Sequence, residues 1–141
     1  MRPVLLVLIS SLMSTAALAA GPDFSGTWTI DLRTTEQRKR NAECGSASFE
    51  LKQTGDQIVG DHTFATADCG RLNEGGEGTV KGVVVGNSAV LVVTSGRNGA
   101  IIMGKATRTA NRLRWVTLQE IKAVEGDSAL ILSKGVLTLA K

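Results

Sequence analysis

The strongest constraint in this chain is a two-residue rhythm of apolar and polar side chains that resumes after each turn signal. Phe24, Gly26, Trp28, Ile30 and Leu32 alternate with Ser25, Thr27, Thr29 and Asp31. In an extended strand, such alternation buries one set and leaves the other toward solvent. The rhythm returns from Cys44 to Ala67, with Gly55-Asp56 predicted as a hairpin turn. That turn sets Phe49 opposite His62 and Ala47 opposite Phe64, all on the inward face.

Two more hairpins follow. Thr79–Val85 and Ser88–Thr94 flank Gly86-Asn87, with Val80, Val84, Ala89, Leu91 and Val93 predicted inward. Ala100–Thr109 and Arg112–Ala123 flank Ala110-Asn111, with Ile102, Gly104, Ala106, Leu113, Trp115 and Ile121 predicted inward. A last run, Ala129–Leu139, is expected to bend at Lys134-Gly135. Residues 33–43 break the rhythm, with one helical turn expected to begin at Thr34 or Thr35. Residues 68–78 read as a Gly-rich loop. These runs make about eight strands joined by hairpin-length connections, and Gly60, Gly82 and Gly104 lie at inward positions that allow strands to bend. Such strand spacing fits a sandwich or a barrel, and because the connections read as hairpins rather than crossovers, the predicted fold is all-β: a single up-and-down, antiparallel β-barrel.

Residues 1–19 read as a secretory signal peptide. Arg2 precedes an apolar stretch, and Ala17-Leu18-Ala19 has small residues at a cleavage site. The expected location is periplasmic or secreted, with residues 20–141 as one barrel domain. No second apolar span follows, so the mature chain is not expected to be membrane-embedded. The full chain has a net charge of +3, and losing Arg2 leaves +2. In an oxidising compartment the only two cysteines, Cys44 and Cys69, are expected to pair. They fall together on the outward face near the open end of the first hairpin. Such a bridge contributes about 3.5 kcal/mol in the loop-entropy account.

Composition narrows the functions. There are 2 Trp, 3 Phe, no Tyr and 1 His. All five aromatics fall on predicted inward faces, so none remains to stack on bases, and nucleic-acid binding is not expected. Arg33, Arg38, Lys39 and Arg40 read as a solvated basic loop. The Asn73–Gly78 loop lacks the ligand spacing of a calcium loop. No nucleophile–base pair or metal set is apparent, so neither an enzyme nor a bound metal or cofactor is expected. His62 is either a bonded or hydrated residue near the barrel mouth or, with Phe49 and Phe64, a contact for an interior ligand. Val83, Val85, Val90 and Val92 fall on the outward face, an arrangement expected at a homodimer or partner interface.

Gly26-Thr27-Trp28 on the first strand, followed by a strand meander, resembles the calycin barrels, which include lipocalins and avidins. The resemblance implies that Trp28 packs across one barrel end. Trp115, beside the small Gly104 and Ala106, is the second candidate for such packing. In lipocalins a basic residue on the last strand covers the Trp, and only Lys134 or Lys141 matches that position. Gly26, Trp28, Cys44 and Cys69 are also similar in order to the plan of the bacterial alkaline protease inhibitor family. That family inhibits with its N-terminal segment, here Ala20 to Asp23. The expected function is an exported, non-enzymatic binding protein for a small apolar ligand or an exported protein. The alternative is a periplasmic inhibitor of a protease or other hydrolase.

Overall fold

The computed structural model describes residues 20–141, so the expected leader at 1–19 lies outside the described residues. The described chain runs β1 (Gly26–Asp31), α1 (Thr35–Lys39), β2 (Cys44–Thr54), β3 (Gln57–Ala67) and β4 (Leu72–Asn73). It continues through β5 (Val80–Val85), β6 (Ser88–Thr94), β7 (Ile101–Thr109), β8 (Arg112–Lys122) and β9 (Lys134–Leu139). Each long strand pairs antiparallel with the next, and β9 returns to β1 through Trp28↔Leu139 and Thr29↔Thr138. Eight strands therefore close into a barrel, and the two-residue β4 lies beside the far end of β3. The all-β, up-and-down barrel predicted from the alternation is the observed architecture.

Local chemistry sets the register. The Gly55-Asp56 turn places Phe49 opposite His62 and Ala47 opposite Phe64, as predicted. The Gly86-Asn87 turn places Val83 opposite Val90 and Gly82 opposite Leu91. Thr34 starts α1 through a capping box: its hydroxyl accepts from the Gln37 N–H, and the Gln37 side chain accepts from the Thr34 N–H. Inward residues of all eight long strands meet in one core, in which Trp28, Phe49, Leu91, Leu113 and Leu137 are fully buried.

The structure corrects three expectations. β7 and β8 slip register twice: Gly104 faces Thr117 but Met103 faces Gln119, and Ile102 faces Glu120 but Ile101 faces Lys122. The skipped residues, Leu118 and Ile121, are 56% and 52% exposed. An inserted residue shifts the two-residue alternation by one, so Ile121 points to solvent rather than inward. Pairing of β8 with β9 also ends at Val116↔Lys134, so the end of β8 runs beyond the closed wall. The last strand begins only at Lys134, and residues 129–133 leave the sheet. The Gly-rich loop contains β4, and its Asn73 is buried.

Gly104 makes a close fit in the wall. A Cβ there would press on the Trp115 ring and the Val116 carbonyl. Gly104→Ala is expected to destabilise the barrel by about 1–3 kcal/mol, the usual range for overpacking. Urea unfolding checks this, and an unchanged midpoint would refute the close fit.

Candidate functional site

The candidate site predicted inside the barrel centres on His62. It points inward from β3, is fully buried, and stacks on Phe49 with ring centroids 4.4 Å apart. Its Nδ1–H donates to the Ser48 carbonyl at 2.7 Å. Its Nε2 accepts from the Leu132 N–H at 3.1 Å. Both ring nitrogens are therefore used, and the neighbours specify the tautomer. Burial pushes the His62 pKa down to about 4, against the raising effects of the Ser48 hydrogen bond and the Asp61 charge.

His62 belongs to a set of side chains that hold residues 129–133 across this end of the barrel. The Trp115 indole N–H donates to the Leu132 carbonyl at 2.6 Å. Asn73 Nδ2 donates to the Leu130 carbonyl at 3.1 Å, and Ser95 Oγ to the Ala129 carbonyl at 2.7 Å. Leu130 and Leu132 are buried beneath these bonds, and Ile131 packs against the core. The segment is a plug. The carbonyls of Ala129, Leu130 and Leu132 and the Leu132 N–H are bonded by side chains from β3, β4, β8 and the turn after β6, while the Ser133 carbonyl still accepts from the Thr117 N–H of β8. Among the described residues, Asn98 Nδ2 is the one buried side-chain polar atom without a partner.

The opposite end is closed by the other indole. Trp28 Nε1–H donates to the Phe24 carbonyl at 2.9 Å, and the Phe24 N–H donates to Gln53 Oε1 at 2.8 Å. Gly26 adopts φ 129°, and Leu139 fills the space that a side chain would need. The cation over the Trp28 ring is neither Lys134 nor Lys141. Arg108, at the end of β7, lies 5.2 Å from the ring centroid and also bonds the Asp23 carbonyl.

Cys44 and Cys69 form a disulfide with a Cα separation of 5.3 Å. Cys44 is level with Ala67, and positive φ at Asp68 and Cys69 turns the chain back to meet it. Nearby, the basic segment is largely neutralised within the chain. Arg33 pairs with Asp31, Lys39 with Glu36 and Arg40 with Asp68.

The other sequence candidates separate in space. Phe64 is half-buried and lines a shallow cleft of about 280 Å³ beside α1, with Leu32, Gln37 and Thr66. Val83 and Val85 are 46% and 61% exposed, while Val90 and Val92 are half-buried on the same outer wall. A larger open cleft of about 470 Å³ lies outside β2 and β3, among Glu50, Lys52, Val59, Asp61 and Glu77. Among the described residues no cluster of three His, Cys, Asp or Glu side chains is placed to hold a metal. Asn73, Ser95, Leu132 and Arg108 were not singled out from sequence. Each acts through a partner at least 17 residues away, and no local pattern marks such contacts.

No family model, curated protein or solved structure matches the chain. What it shares with the calycin plan is the closed barrel and a Gly-x-Trp whose Trp caps one end.

A pH prediction follows from His62. The unfolded imidazole takes up a proton near pH 6.5, while the folded one resists until about pH 4. Between those values the unfolded state binds more protons, so stability falls as pH falls, by roughly 3 kcal/mol in total. The Arg33 hydrogen bond holds the Asp31 carboxyl down to about 2, and Asp23 and Asp68 are also held below the usual 3.8, so the stability these carboxylates contribute is lost mainly below this window. Denaturant midpoints at steps from pH 7 to pH 4 are expected to show the loss. His62→Ala should flatten the profile across that window, and a slope unchanged by the substitution would refute the assignment.

Proposed function

We propose that the chain is an exported, non-enzymatic β-barrel binding protein that meets its partner with its outer wall. The filled interior carries this reading. Trp28, Phe49, His62, Leu91, Leu113 and Trp115 are buried to within 1% along the barrel, and their polar atoms are bonded to the chain's own backbone. Small-molecule sites enclose roughly 300–1,000 Å³, whereas the two clefts described above open outward. A non-enzymatic role is supported by His62, which has no nitrogen left to exchange a proton with a substrate.

The calycin-like closed barrel is compatible with a binding role, as a matter of fold analogy only. The inhibitor alternative rests on the N-terminal segment. Here Phe24 is buried and Asp23 is bonded to Arg108, so this part of the segment is anchored to its own barrel.

Both indoles face the interior, so tryptophan fluorescence reports on it directly. Titration with palmitate or retinol to about 100 μM is expected to give no saturable change. Saturable one-to-one quenching would overturn the outer-wall reading. Stoichiometric loss of activity when the protein is added to secreted metalloproteases would replace it with the inhibitor.

A further inference from the structure

The outer wall is divided by charge. Between Glu77 and Glu120 the chain contains no Asp or Glu. That stretch builds β5, β6, β7 and most of β8. Across these strands the outward side chains form ladders. Val83 lies beside Val90, then Lys105, Val116 and Lys134 on β9. The next row runs from Lys81 to Val92 and Met103, and the row on the other side runs from Thr107 to Arg114 and Val136.

Lys81, Lys105, Arg114 and Lys134 are all exposed and belong to none of the four ion pairs among the described residues. Apolar side chains stand between them, with Val83 and Val116 among the large exposed hydrophobic residues. We propose that this acid-free wall docks reversibly on an anionic phospholipid surface. The inference rests on the outer-wall reading and names the partner.

Charge complementarity selects this occupant. A second copy applying the same wall across a two-fold axis brings lysine and arginine against lysine and arginine. A protein hot spot is usually built on Trp, Tyr or Arg in a packed pocket, with Val under-represented. All five aromatics of this chain lie elsewhere, in the core or beside α1. A lipid headgroup plane needs no pocket. It presents a uniform negative charge to a cationic wall, tolerates no opposing carboxylates, and yields to the convex profile of a barrel. Exposed valines between the cations add apolar contact at the headgroup boundary.

The test is co-sedimentation of the mature protein with phosphatidylcholine vesicles containing about one-third phosphatidylglycerol, at low salt. Binding is expected with these vesicles and not with pure phosphatidylcholine. Removing two wall charges in Lys105→Gln/Arg114→Gln should weaken it about 25-fold, near fivefold per charge. Removing two charges from α1 in Arg38→Gln/Lys39→Gln should change it less than about twofold. Thermal unfolding confirms that both variants remain folded.

No binding to the anionic vesicles overturns the proposal. So do equal losses in the two variants, which would mean that net charge alone acts. A dimer in solution that Val90→Lys converts to monomer also overturns it, because a second copy would then cover the wall. None of these results admits a ligand to the interior, so the fluorescence titration still decides the outer-wall reading separately.

Discussion

Closing a sheet into a barrel removes its edges but leaves two open ends, and each end exposes the apolar interior unless the chain covers it. The rest of this structure depends on how those ends are stopped. At each end a tryptophan supplies both bulk and a hydrogen-bond donor. Trp28 holds the Phe24 carbonyl and Trp115 holds the Leu132 carbonyl, and both acceptors lie in segments outside the sheet. The indole N–H makes that arrangement economical. One residue fills the core and tethers a backbone that would otherwise lack partners.

His62 completes the second stopper. It accepts the Leu132 N–H, while Trp115 donates to the Leu132 carbonyl, so one residue of the plug is bound at both backbone groups. Such a tether needs a neutral imidazole, because a protonated ring has no acceptor. The only histidine is thereby assigned to architecture. Phe49 stacks on it, and the space that lipocalin-like barrels use for ligands is occupied by the chain itself. In the proposed reading, recognition falls to the outer wall, where β5, β6, β7 and β8 up to Gln119 carry no carboxylate, in contrast with β2 and β3.

Much of the barrel was legible because its turns are local. Gly55-Asp56 and Gly86-Asn87 define the hairpins β2–β3 and β5–β6, and register follows from the turn alone. The outward Val83 and Val85 were read for the same reason. The hairpin β7–β8 was legible only near its turn. Beyond Gly104 two bulges shift the alternation, and Ile121, apolar and in phase by sequence count, faces solvent. A bulge is set by how strands twist around a closed wall, so no two-residue count reveals it.

The plug was illegible for a related reason. Ala129-Leu130-Ile131-Leu132 looks like a strand, and its backbone leaves the sheet because Ser95, Asn73, His62 and Trp115 bind it from distant parts of the chain. The alternation, the turns and the two cysteines by themselves determined an antiparallel strand meander with one bridge, since each acts through neighbours or a single pairing, while its closure rests on β9 returning to β1. Only the tertiary structure decided that Arg108 covers Trp28, that His62 is a tether and that the interior is full. Those outcomes depend on contacts between segments far apart in sequence, which exist only after the barrel has closed.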